Sequence, residues 1–322
     1  MGENENLTVK SLKERIQELK KENYIKEGWL DDQIINDDIV NCINSCTSPT
    51  GDTVKERLKA IFRAFSLFPI SETKVLILGQ DPYPNPDKAD GCAFSVGNGR
   101  RDASLSNIFK AIENYKKINK VKDFNRKAYS TDLKDWASNN KVLLLNTALT
   151  YQDLYPKKKK KELNNSEKQE QKKKQEDSIQ LWEMFIYQIF TYLLNDSNRK
   201  ELAVFLWGKY AQKTFLKYLS SNNELIPLLC KINDKFRIES IKKVNKDEYK
   251  FDDKNFKVVR EKGFVDIDDK TRVFMTNHPS PPSENNKEYG KKFVEYSSKS
   301  HFQACDDFLD ENIWLNFPEN NQ

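Results

Sequence analysis

Three short segments of this chain carry side chains suited to chemistry. In Gly79-Gln80-Asp81-Pro82-Tyr83-Pro84 an amide, a carboxylate and a phenol share a turn that two prolines stiffen. In Asn277-His278-Pro279-Ser280-Pro281-Pro282-Ser283 stands one of only two histidines, the other being His301. Asn146 ends a run of three leucines. The amides of Gln80 and Asn146 each offer donors and an acceptor, so together they can read the polar edge of a planar heterocycle. Phe94, in Gly91-Cys92-Ala93-Phe94-Ser95, can stack on the face of such a ring. A histidine at a strand exit is suited to proton or hydrogen-bond chemistry near neutral pH. Each residue also has a plainer reading: Asp81 as a turn closer, Asn146 as a partner for neighbouring backbone, Phe94 as core. Covalent catalysis has little support. The chain has no serine in a nucleophile elbow, no cysteine close to His278 and no G-x-x-x-x-G-K-[ST] phosphate loop.

These residues lie far apart, so the fold must gather them. Apolar runs recur at Lys74–Leu78, Val142–Leu145, Ala203–Leu206 and Val273–Met275, and each leads into a polar loop. Each run reads as a short buried strand. Helical patterns separate them, at Ser104–Tyr115 and at Asp177–Leu194 with its wide apolar stripe. Such alternation implies parallel pairing with right-handed crossovers, which puts all four loops at one sheet edge. The expected fold is α/β, a single domain with a central, mainly parallel four-stranded sheet flanked by helices and its active site at the C-terminal strand ends. Residues 1–70, with amphipathic patterns at Leu7–Tyr24 and Thr53–Phe65, read as a helical region packing on that core, and 71–322 as the α/β domain.

Composition narrows the class of protein. The 322 residues carry a net charge of +5, which permits a nucleic-acid partner without requiring one. No stretch approaches 18 consecutive apolar residues, so no membrane partner is expected, and Met1–Lys10 lacks the apolar centre of a signal peptide. The five cysteines are odd in number and widely spaced. With two histidines they read as reduced thiols of a cytoplasmic or nuclear protein and not as a metal set.

Four of these segments together resemble the major uracil-excising family of uracil-DNA glycosylases. GQDPYP is similar to the family's water-activating motif, LLLNTALT to its uracil-reading strand, FLWGKYAQK to its glycine–serine loop and HPSPPS to its DNA-intercalation loop. They occur in the family's order over roughly residues 75–308. The resemblance implies an enzyme that flips deoxyuridine out of DNA and hydrolyses its N-glycosidic bond, a first step of base-excision repair. It implies Asp81 as the group that stabilises the sugar cation and orients water, and His278 as a donor to uracil O2. Asn146 would bond N3–H and O4, Gln80 would contact the base, Phe94 would stack on it and Tyr83 would crowd C5. Ser104, Lys209, Ser280 and Pro282 fall on the implied DNA-binding loops. No metal or organic cofactor is implied. The implied partners are uracil-containing DNA and a proteinaceous inhibitor of the family, and the implied state is a monomer.

Departures from the pattern fall on the DNA-facing loops. Lys209 stands where the family has serine, Pro282 where it has a leucine wedge, and the proline-rich loop is reduced to Arg101-Asp102-Ala103. Two rival readings therefore stay open, a relative acting on another damaged base and a non-catalytic DNA-binding relative of the same fold. Segments at about 156–176 and 220–270 read as insertions. The first holds nine lysines between Lys157 and Lys174 and reads as a flexible loop or a solvated helix, either attracting DNA phosphates or merely solvated. The second reads as a small hairpin or a loosely ordered flap.

Overall fold

A computed structural model describes residues 6–121, 129–158, 160–195, 200–243, 249–252, 256–258, 263–280 and 289–317. Its main sheet has five strands, in the order β2 (Val142–Asn146), β1 (Val75–Gly79), β3 (Leu202–Trp207), β7 (Thr271–Thr276) and β6 (Gly263–Asp268). A separate ribbon pairs β4 (Ile241–Lys243) with β5 (Tyr249–Phe251). The first four strands of the order pair in parallel, with Gly79 beside Asn146 and Leu206 beside Met275. Strands β1, β2 and β3 are buried at every position. That is why they read as unbroken apolar runs, since helices cover both faces of a parallel sheet.

The expectation of four strands is corrected to five. Strand β6 runs antiparallel to β7 through a two-residue turn at Asp269-Lys270, inside the segment read as an insertion. Only Ile267 of this edge strand is fully buried, and Asp266 and Asp268 break its apolar character. The same segment supplies helix α8 (Ile226–Phe236), whose Leu229, Ile232 and Phe236 enter the main core. The 220–270 segment is thus partly framework, with the hairpin β4–β5 as its peripheral portion.

The remaining helices are α1 (Val9–Lys21), α2 (Asp37–Asn44), α3 (Val54–Ile61), α4 (Ala103–Ile118), α5 (Lys134–Asn140), α6 (Asn165–Asn195), α7 (Lys209–Ser220), α9 (Tyr289–Tyr296) and α10 (Phe302–Leu309). Thr8, Asn36, Thr53 and Asp102 cap α1 to α4 with their side-chain oxygens, satisfying backbone donors that a helix start leaves free. Helix α6 begins twelve residues before the expected Asp177, at Asn165, so most of the lysine-rich segment is helical. The N-terminal helices share the core of the sheet. Leu12, Ile16, Ile39 and Leu58 are fully buried, and the Trp29 indole donates to the Phe68 carbonyl at 2.7 Å. Cys46 lies beyond the end of α2 and all five cysteines are free thiols.

Candidate active site

The exits of the parallel strands are laced together by backbone. The Gln80 carbonyl accepts from the Ala148 N–H at 3.0 Å and from the Thr147 hydroxyl at 2.7 Å, while Thr147 N–H donates to the Gly79 carbonyl. On the other side, Thr276 O accepts from Gly208 N–H at 3.0 Å and from the Gln212 side chain at 2.9 Å. The loops that leave this sheet edge are thereby fastened in two neighbouring pairs. Between them lies a cavity of about 150 Å³. A cavity of that size takes a six-membered ring such as benzene.

Asp81, Asn146 and His278 all line this cavity, with Gln80, Tyr83 and Phe94. Asn146 is buried and owes its position to Gly79 beside it in register. A Cβ on Gly79 would come within 2.3 Å of the Asn146 Oδ1. Phe94 adopts φ +64°, a left-handed conformation that is uncommon for a bulky residue. Its ring is wedged between Trp207, 5.4 Å away, and His278, 5.7 Å away. The Tyr83 hydroxyl donates to the Phe94 carbonyl at 3.3 Å, and the Ser48 hydroxyl donates to the Tyr83 carbonyl at 2.7 Å. The N-terminal region therefore braces the turn that carries the phenol.

His278 is held in one tautomer. The Ser280 N–H donates to its Nδ1 at 3.0 Å, so in the neutral ring the proton sits on Nε2. Removal from water pushes the imidazole down to about 4, and the opposing pull of the Asp102 carboxylate is smaller. At neutral pH the ring is uncharged and offers one N–H. Gly208 allows this approach, with φ +94° and with His278 Cβ only 2.8 Å from where its own Cβ would be. Asn107 of α4 donates to the Pro279 carbonyl at 2.7 Å and ties the histidine loop to the helix.

The remaining residues singled out in the sequence are distributed around this site. Ser104 is buried in the cavity wall, at the start of α4. Ser280 acts on His278 through its backbone. Lys209 does not line the cavity. It is exposed at the first turn of α7, in a groove between α6 and α7 that also bears Lys172, Lys173, Lys213 and Lys217. Pro282 lies outside the described residues.

Sequence reasoning missed several residues of the site. Asp102 caps α4 through the Ser104 N–H, pairs with Lys88 at 3.0 Å and faces His278 electrostatically. Its position before a helix start was the available signal. Asp90 lines the cavity, pairs with Arg63 at 2.8 Å and accepts from the Cys92 N–H at 3.0 Å. Gln175 of α6 donates to Asp81 Oδ2 at 2.9 Å. Nothing in a lysine-rich run marked that glutamine.

Residues 65–305, about three-quarters of the chain, match the family model described as the uracil DNA glycosylase superfamily. Among curated relatives, uracil-DNA glycosylase of Ureaplasma urealyticum serovar 10 is 50% identical over 93 residues, covering 29% of this chain and 40% of the relative. That of Ureaplasma parvum serovar 3 is 42% identical over 169 residues, covering 52% of this chain and 65% of the relative. That of Campylobacter lari is 32% identical over 197 residues, covering 61% and 70%. The chain thus spans between two-fifths and somewhat over two-thirds of these relatives' lengths. A family model matched across three-quarters of the sequence, on a parallel sheet whose exits converge on one small cavity, means that the chain belongs to the uracil DNA glycosylase superfamily.

Proposed function

We propose that this protein excises uracil from DNA by hydrolysing the N-glycosidic bond. The observation that carries the reading is the meeting of Asp81, Asn146 and His278 around one cavity sized for a six-membered ring. The bond is inaccessible inside a stacked duplex, so the deoxyuridine is first extruded into the cavity. As the C1′–N1 bond breaks, positive charge grows on the sugar and negative charge on the departing base. The Asp81 carboxylate stabilises the first and orients a water. That water adds hydroxyl to C1′, and its proton ends on the released uracil. The Nε2–H of neutral His278 donates to uracil O2 as charge develops there. A donor already in place costs no reorganisation at the moment of reaction. Asn146 pairs with N3–H and O4 and rejects cytosine, whose donors and acceptors are reversed along that edge. Gln80 contacts the base, Phe94 stacks on it and Tyr83 excludes a C5 methyl.

The DNA partner is held through Ser104, Ser280 and Lys209, with Pro282 as the apolar wedge. The lysines of the α6–α7 groove, which outnumber its acidic residues Glu176, Asp177 and Glu183, add salt-dependent attraction. A proteinaceous inhibitor of the family would occupy the same face. No helix among the described residues is long and apolar enough to cross a membrane, and the proposed workplace is the DNA-bearing compartment, cytoplasm or nucleus.

The test is uracil release from single-stranded, U·A and U·G oligonucleotides by the wild type, Asp81→Asn and His278→Leu. Each substitution is expected to cost roughly two or more orders of magnitude in kcat. A wild type that binds these oligonucleotides but releases no uracil overturns the proposal in favour of a non-catalytic DNA-binding relative.

A further inference from the structure

The first turns of α6 come from the segment that looked least structured in the sequence, yet they are fastened at several points. Gln171 is buried, and both ends of its amide are used. Its Nε2 donates to the Gln152 carbonyl and its Oε1 accepts from the Leu154 N–H, both at 2.9 Å. Glu176 accepts from the Tyr210 hydroxyl of α7 at 3.2 Å. One turn beyond Gln171, on the same helical face, Gln175 donates through Nε2 to Asp81 Oδ2 at 2.9 Å. The helix is thus pinned on one side to the loop after β2 and on the other to α7. Its next side chain along the pinned face reaches the carboxylate on which the proposed chemistry centres.

We infer that Gln175 is a positioning residue for Asp81, supplied by the extension of α6. The inference rests on the proposed role of Asp81 in uracil release. A carboxylate on a short side chain can rotate about its last bond. An N–H donated to one oxygen fixes the plane of the group and so the direction in which its other oxygen can meet a water or a sugar. Donation to an ionised carboxylate also favours the charged form that the reaction uses. Titratable groups that face Asp81 include Tyr151 from the loop after β2 and Tyr210 from α7, whose phenols feel its charge; Glu176 of α6 is bonded to that same Tyr210. Asp90 and His278 line the same cavity. None of these supplies the amide donor that Gln175 supplies.

The test compares wild type with Gln175→Leu, which keeps the bulk and removes the donor, and with Gln175→Glu, which puts a second carboxylate beside Asp81. Gln171→Leu serves as a control that loosens the same helix without touching Asp81. Two readouts are taken. One is the pH dependence of steady-state uracil release, read as kcat and KM. The other is the carboxyl carbon titration of Asp81 by NMR, assigned by its loss in Asp81→Asn. For Gln175→Leu the expected result is a fall in kcat of roughly tenfold or more, KM within about threefold, and an Asp81 titration moved to higher pH. Gln175→Glu moves it further in the same direction, and Gln171→Leu, in which the donor remains, moves it less than Gln175→Leu does. An Asp81 titration and an acid limb unchanged in Gln175→Leu overturn the inference. A wild type that releases no uracil overturns the functional reading instead, and the NMR titration still decides whether Gln175 holds the carboxylate.

Discussion

The contact between Gly79 and Asn146 yields the sharpest prediction about the proposed base-reading side of the site. These residues are neighbours across β1 and β2, and the amide of Asn146 occupies the space where any other residue at 79 would place its Cβ. That Cβ would stand 2.3 Å from Asn146 Oδ1 and 3.0 Å from the Ala93 Cβ, whereas ordinary contact begins near 3.4 Å. The amide must therefore retreat by about 1 Å. Its alternative is to push Ala93, whose N–H is bonded to Leu144 O at 3.0 Å and whose neighbour Phe94 is already in a left-handed conformation. Gly79→Ala is accordingly expected to lower kcat/KM for uracil release about 100-fold, the scale set by a 1 Å misplacement of a reacting group. The accompanying loss of stability should be only about 1–3 kcal/mol, typical of one extra methyl in a packed core. The assay is single-turnover release from a uracil-bearing single strand, run beside urea unfolding of the same preparation. Activity within threefold of wild type, at unchanged stability, would refute the argument that Gly79 exists to seat the amide.

Three further outcomes follow from the same geometry. Asn107→Ala removes the tie to Pro279 O and frees the loop carrying His278, so release should fall roughly tenfold with little change in unfolding free energy, about 1 kcal/mol; an unchanged rate would sink it. Replacing Lys172, Lys173 and Lys209 by glutamine should flatten the salt dependence of duplex binding by roughly 0.9 per lysine that touches phosphate, and an unaltered slope would place the DNA elsewhere. His301 is fully buried beside Phe274, and burial pushes its imidazole down to about 4 from 6.5. The unfolded chain therefore binds the extra proton first, and stability is lost as pH falls from about 6.5 through 4, by about 3 kcal/mol at most. His301→Phe should remove that part of the acid slope in urea titrations, and parallel pH profiles would falsify the assignment.

Much of this architecture was legible because strands of a parallel sheet announce themselves. Val75–Gly79, Val142–Asn146 and Leu202–Trp207 are apolar on both faces and end at residues that cannot extend a ladder or that turn polar. The residues at their exits could be named because the chemistry of amide, carboxylate and imidazole is visible in one-letter code. Strand β6 was not legible, since an edge strand with a single fully buried side chain and two aspartates looks like loop. Gln175 was hidden for a different reason. Its contact with Asp81 spans 94 residues and depends on how far a lysine-rich helix extends, which local composition does not encode. Asp102 was read as the remnant of a lost loop, although its side chain caps α4 and its charge reaches the histidine.

The sheet order β2-β1-β3-β7 has a consequence for synthesis. Strand β1 leaves the ribosome first, but the strand carrying His278 is the last to join, on the far side of β3. At a translation rate of about 5–20 residues per second, the interval between residues 81 and 278 is on the order of 10–40 s. A nascent or prematurely terminated chain bears the carboxylate yet lacks the imidazole, so under the proposed mechanism an incomplete copy releases no uracil.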